Sequence, residues 1–189
     1  MPYIIAPLEK VKVDYPEFMD VMKKVEQVGI ARAKEIWPGF TLGGLIPGKQ
    51  EFGIGNILPK DVHGAGTYSW VKTFNAPGSW TDIFNYSVPE DEIHALAGFA
   101  ISDPTLIFNQ IRLEISDKKY PIWEIEEANL YEKSFAIVIK TDPGNELIAQ
   151  EETPVLLRGY QERGTSGYQQ RVIPIGINVY KRKDLVITE

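Results

Sequence analysis

The sequence has 189 residues and no cysteine. That excludes disulfides, a thiolate nucleophile and any zinc site built on cysteine. It fits a reducing compartment, and equally a surface or particle protein held together by burial alone. Histidine is nearly as scarce, with only His63 and His94, far apart in the chain. A cupin-type centre needs a close His-x-His pair with a following carboxylate, so no metal site is expected. Positive charge is in deficit: 20 Lys and Arg against 26 Asp and Glu, a net charge of −6. This argues against nucleic acid as the main partner. No window approaches the roughly 18 apolar residues of a membrane span. The start, "MPYIIAPLEK", has no basic stretch leading into a long apolar run, so a signal peptide is not expected.

What is present suits a folded protein. Hydrophobic residues make up 43% and aromatics 11%, enough for a core in one domain with an appendage. Residues 16–37, "PEFMDVMKKVEQVGIARAKEIW", read as a helix. Asp14 can cap it, Pro16 and Glu17 suit a first turn, and Pro38-Gly39 stops it. Phe18, Val21, Met22, Val25 and Val28 form one apolar stripe. A lone amphipathic helix cannot bury its own stripe, so it must pack on the domain that follows or on a neighbouring chain. Residues 39–66 are rich in glycine yet apolar, with Leu45, Phe52 and Ile54 among the large side chains. A flexible linker would be polar, so this stretch is expected to lie against a surface as an extended arm. The alternatives are a neighbouring subunit and the chain's own sandwich.

From Thr67 onward, period-two runs are broken by turn residues at Ala76-Pro77-Gly78, Asp103-Pro104 and Asp142-Pro143-Gly144. Tyr68, Trp70 and Phe74 share one face of their run, and Trp80, Phe84, Tyr86 and Val88 share one face of the next. Ile111, Leu113 and Ile115 point inward, as do Phe135, Ile137 and Ile139. Ile173, Ile175, Ile177 and Val179 line one face of the last run, where Pro174 argues for an edge or a bulge. Eight or nine strands in about 120 residues is the density of an antiparallel β-sandwich, with jelly-roll character. The expected division is residues 1–62, helix and arm, followed by a sandwich over 63–189.

The stretch "RGYQERGTSGYQQR", residues 158–171, nearly repeats itself. It reads as a long hairpin turning at Gly164-Thr165-Ser166-Gly167 and presenting Tyr160, Arg163, Tyr168 and Arg171 near its tip. Tyr and Arg are favoured at interfaces, although a plain exposed hairpin is the competing reading. Charge is uneven as well. From Pro89 to Glu132 ten acids face only Arg112, Lys118 and Lys119, and from Arg158 to Lys183 six bases face Glu162 alone. Ordinary solvation explains this, as would complementary faces that meet between copies.

Catalytic patterns are weak. "GGLIPGKQ" has Gly43, Gly48 and Lys49 at phosphate-loop spacing, but Gln50 replaces the magnesium-binding hydroxyl and the flanks are wrong for strand and helix. Glu90-Asp91-Glu92 reads as a charged turn rather than a glycosidase pair. His94 is expected to face solvent or accept a local hydrogen bond. Trp70, Trp80 and Trp123 would form a sugar-stacking platform if they shared a surface, but aromatics in strands more often lie in the core.

"NYSVPEDEIHALAGFAISDPTLIFNQIRLEISDKKYPIWEIEEANLY" and "GTSGYQQRVIPIGINVYKRKDLV" resemble small β-sandwich head, turret or decoration proteins of tailed-virus and archaeal-virus particles. The resemblance covers about the last two thirds of the chain. It implies an assembly role in a virion put together in the host cytoplasm, with no catalysis and no cofactor. The expected partners are further copies and other particle subunits, with a host-surface glycan as an additional one. The expected interface residues are Phe18, Met22, Val25, Leu45, Phe52, Ile54, Tyr160, Arg163, Tyr168 and Arg171. The alternative function is a carbohydrate-binding module using Trp70, Trp80 and Trp123.

Overall fold

A computed structural model describes residues 3–43, 50–64, 66–74, 77–102, 108–126, 134–162 and 167–182. The chain opens with strand β1 (Tyr3–Pro7), a 3-10 turn, a short helix α1 (Val11–Asp14) and the long helix α2 (Pro16–Ile36). Strands β2 (Thr41–Leu42) and β3 (Glu51–Gly55) follow, then the one-turn helix α3 (Pro59–His63). Next come β4 (Trp70–Phe74), β5 (Ser79–Ser87), β6 (Glu92–Ile101), β7 (Gln110–Ile115), β8 (Lys118–Lys119) and β9 (Trp123–Glu124). The last strands are β10 (Phe135–Ile139), β11 (Leu147–Ala149), β12 (Pro154–Gln161) and β13 (Tyr168–Lys181).

The fold is mainly β with a long N-terminal helix, and the strands form two sheets. One is a curled, mixed half-barrel ordered β1-β10-β6-β13-β3-β2, with β11 also on β6 and β4 also on β13. Its parallel pair is β2 with β3. The other is antiparallel, ordered β5-β12-β7-β8, with β9 also on β7. The sheets enclose the main core, where Phe84, Leu113 and Leu157 of the antiparallel sheet meet Leu96, Phe99, Ile137 and Val172 of the curled one.

Helix α2 covers the outer face of the curled sheet. Val25 and Ala33 pack with Ala95, Ala97, Ile177 and Val179, while Phe18 packs with Ala6, Ala136 and Val138. Small residues let the helix sit close: a Cβ on Gly29 would lie 3.0 Å from Ile177 Cδ1 and 3.2 Å from Ala95 Cβ. The helix is also tied down by polar contacts, Lys24 Nζ donating to Thr141 O at 2.7 Å and Lys140 pairing with Glu17 at 2.9 Å. Phe18, Val21, Met22 and Val25 of the stripe therefore pack on their own chain, while Val28 is half-buried. Asp14 does not cap α2: it belongs to α1, and the N-cap position is Tyr15, with no side-chain cap bond.

The segment expected to be a separate arm is part of the curled sheet. β1 pairs with β10 and β3 pairs with β13. Phe52 is buried in the cluster beneath α2 and Ile57 in the main core. The expected hairpin at 158–171 is also corrected. β12 lies in the antiparallel sheet between β5 and β7, whereas β13 lies in the curled sheet. The two similar arms do not pair with each other, because they lie in different sheets. Gly164, Thr165 and Ser166 fall outside the described residues.

Two bulges break the alternation. β13 pairs Ile175 with Gly98 and Gly176 with Leu96, skipping Ala97. An extra residue reverses which side chains face inward, so Leu96 and Phe99 both enter the main core. β12 pairs Leu157 with Phe84 and Arg158 with Asp82, skipping Ile83. Ile83 and Phe84 are both buried, and the residues before them turn outward. Pro174 sits where β13 has β6 on one side, between the stretches paired with β4 and with β3. That local edge is what a residue without an N–H requires.

Candidate functional site

Two surfaces gather polar and aromatic chemistry. The first is the outer face of the antiparallel sheet, which among the described residues no helix covers. Directly opposed residues share a face, so the pairings place Trp80, Tyr160, Gln110 and Glu124 in one row. Asp82, Arg158 and Arg112 make the next row. The rings of Trp80 and Tyr160 lie 5.4 Å apart, and the Arg112 guanidinium sits 5.1 Å over Trp80. Arg112 Nη2 pairs with Glu114 Oε1 at 2.9 Å, and Arg158 Nε with Asp82 Oδ1 at 2.8 Å. These contacts hold long side chains flat on the sheet. Beyond Tyr160 lies a groove of about 270 Å³ lined by Asn109, Gln110, Glu124, Glu126 and Glu162. Asn109 Nδ2 donates to Glu162 at 3.0 Å and to Glu126 at 3.3 Å.

The second is a polar cleft of about 600 Å³ beside α3, with Asp61, Glu92, Asn178 and Tyr180 in its wall. Glu92 and His94 are two residues apart on a strand and so share a face. Across the Val88–Asp91 connection, Tyr86 reaches the same place from the other sheet. The Tyr86 hydroxyl lies 2.9 Å from His94 Nδ1, His94 Nε2 lies 3.2 Å from Glu92 Oε2, and Asn178 Nδ2 donates to Glu92 Oε2 at 2.7 Å. A carboxylate accepts only, so Nε2 carries the hydrogen toward Glu92 and the Tyr86 hydroxyl donates to Nδ1. Burial, and then the charge of Glu92, push the Tyr86 phenol above its ordinary value, which keeps it a donor. No group of three or more metal-ligating side chains occurs among the described residues.

The residues expected at an interface separate sharply. Phe18, Val25 and Phe52 are in the chain's own core, and Met22 and Ile54 pack against it. These described residues of the helix stripe and the arm therefore pack within the chain. Tyr160 lies on the free sheet face, while Tyr168, half exposed, and Arg171, exposed, lie on the other sheet. Leu45 and Arg163 fall outside the described residues. Trp70 and Trp123 are buried, so of the three tryptophans expected to stack a sugar only Trp80 is at the surface.

Between the basic and acidic segments, one chain holds the Lys181–Asp91 pair and an approach of Arg158 Nη1 to Glu114 Oε1 at 3.9 Å. Arg158 also pairs with Asp82, and Arg182 Nη1 lies 3.9 Å from Glu51. His94 does accept a local hydrogen bond but is fully buried rather than facing solvent. The Tyr86-His94-Glu92-Asn178 cluster escaped the sequence reading. Its one visible signal was Glu-x-His at strand spacing. No protein-family model matches the chain, and no curated protein shows significant similarity to it.

Proposed function

We propose that the chain is a non-enzymatic structural subunit, built on a jelly-roll-like sandwich, that self-associates in a virion or virus-like particle as a capsid, decoration or turret component. The observation that carries the reading is the free face of the antiparallel sheet, with Trp80, Tyr160 and Arg112 packed together at its surface. Aromatic residues and Arg dominate the energetics of protein interfaces. The occupant is a second copy of the same face. Glu124 stands at one end of β7 and Lys119, opposite Glu114, at the other. A twofold axis lying across the strands sets the acidic end of one face on the basic end of the next. Stacked sheets pack about 10 Å apart, a distance these side chains can fill. The sequence resemblance supplies the particle, and the sheet face supplies the contact. Light scattering on the purified protein tests this: a mass that is a multiple of the 21.3 kDa chain is expected, and a strict monomer at high concentration contradicts it.

One observation favours a second reading. The Trp80–Tyr160 pair borders a groove lined with amides and carboxylates, the combination of ring face and hydrogen-bonding groups that sugars require. A carbohydrate-binding module predicts glycan-array binding that is lost on Trp80→Ala, together with a monomer in solution.

A further inference from the structure

We propose that two copies join their free sheet faces in one fixed register: the twofold axis runs over the row Asp82, Arg158 and Arg112, so that Tyr160 of each copy seats on Leu156 of the other and Glu124 on Lys119. The inference rests on the reading of this face as the assembly surface and adds which residues meet there.

The register follows from the strand pairings. Tyr160 lies opposite Trp80 and Gln110, and Gln110 opposite Glu124, which makes the row Trp80, Tyr160, Gln110, Glu124. Leu156 lies opposite Asn85 and Glu114, and Glu114 opposite Lys119, which makes the row Asn85, Leu156, Glu114, Lys119. Arg158, opposite Asp82 and Arg112, lies midway. On β12 and β7 each outer row stands two residues from the middle one, about 7 Å at the rise of a strand. A twofold axis laid across the strands over the middle row keeps each strand over its own counterpart and exchanges the outer rows. Trp80 then faces Asn85, Tyr160 faces Leu156, Gln110 faces Glu114 and Glu124 faces Lys119.

The matched chemistry favours this register. Leu156 is the one aliphatic side chain in these rows and is half-buried, so it offers the Tyr160 ring an apolar seat. Glu124 and Lys119 are exposed, and neither side chain is in an ion pair among the described residues. Across the axis each finds the opposite charge. No match between the outer rows sets like charges together. On the axis, Arg158 and Arg112 face their own counterparts, but each charge is met within its chain. Arg158 Nε lies 2.8 Å from Asp82 Oδ1, and Arg112 Nη2 lies 2.9 Å from Glu114 Oε1. An axis running along the strands instead sets the Glu114 carboxylate on Leu156 and Glu124 on Trp80, and it leaves Lys119 facing Asn85. Aligned sheets cross at about 30°. That shifts the outer columns sideways by a distance that lysine and glutamate side chains can span.

The chain has no cysteine, so introduced thiols report the register without background. Lys119→Cys and Glu124→Cys are made as separate chains, mixed, and treated with a short bismaleimide. The mixture should give crosslinked dimer, and either variant alone should not. Both positions are exposed, so the fold tolerates the changes. A charge arm reads the same contact by sedimentation. Glu124→Lys should weaken association by about 5-fold, and adding Lys119→Glu to the same chain should restore it. The register is overturned if the wild type is an oligomer but the mixture crosslinks no better than its components. It is also overturned if the double reversal stays as weak as Glu124→Lys. A wild type that is monomeric at high concentration overturns the assembly reading itself, and the register with it.

Discussion

The two sheets of this protein solve burial differently. The centre of the curled sheet is covered on both faces, by α2 outside and by the other sheet inside. Every residue of β10, and all of β6 after Glu92, is buried. The antiparallel sheet is covered on one face, and β7 alternates strictly between half-buried and buried. The sequence carries the same contrast: "IHALAGFAI" and "FAIVI" are continuous apolar runs, while "QIRLEI" alternates. Apolar continuity in a strand reports a second cover, and alternation reports a free face. The difference teaches where to look for recognition. The doubly covered strands are committed to stability, and the free face of the other sheet is the surface on which the proposed contact is placed.

The largest effect should come from the centre of the curled sheet. A Cβ on Gly98 would sit 1.9 Å from the backbone oxygen of Ile137. Gly98→Ala should therefore cost about 4 kcal/mol or more, read by urea unfolding; a near-neutral change would mean that the bulge and its neighbour are misplaced. Phe52→Ala should cost about 3 to 5 kcal/mol, because Phe52 is fully buried between α2 and the sheet. A loss under about 1 kcal/mol would restore the picture of a detachable arm.

Tyr86→Phe is intermediate and links the sheets. It leaves the buried His94 Nδ1 without its donor, at a cost of about 1 to 3 kcal/mol at neutral pH. The variant also changes the alkaline limb. Burial and Glu92 raise the folded phenol above the ordinary 10.0, so the unfolded chain releases its proton first. The stabilisation from neutral Tyr86 is fully present below that ordinary value and is lost as pH rises through it toward the folded pKa. Tyr86→Phe should flatten that decline, with Tyr120, also raised by burial and by Glu146, left as background. Parallel declines in both proteins would remove Tyr86 as a cause. The smallest effects belong to the free face. Arg158→Ala breaks a pair whose side chains are 34% and 42% exposed and should shift stability by less than about 1 kcal/mol. A larger loss would show that this face is structural.

Much of this contrast was legible in the sequence, and the failures have physical causes. The helix, its stripe and its stop at Pro38-Gly39 follow from local chemistry, as do the inward residues of β7 and β10. Trp80 was assigned to the same face as Phe84, Tyr86 and Val88 because alternation was carried straight through Ile83. A one-residue bulge leaves no mark in composition, yet it moves Trp80 from the core to the surface. The partners of β12 and β13 were hidden for a related reason. Adjacent strands with similar sequences suggest a hairpin, but pairing depends on which layer each strand's apolar face must enter. The cleft cluster needed three separated segments to converge, and only the two-residue spacing of Glu92 and His94 hinted at it.

The claim that the free sheet face is the assembly surface is tested most directly by sedimentation of two charge insertions. Tyr160→Glu places an acid on that face, and Met19→Glu places one on the exposed side of α2, where Met19 is 36% exposed. Neither should change the unfolding transition by more than about 1 kcal/mol. The account predicts that wild type and Met19→Glu sediment as the same oligomer while Tyr160→Glu sediments as a monomer. Wild-type mass retained in Tyr160→Glu, or lost in Met19→Glu instead, would contradict it.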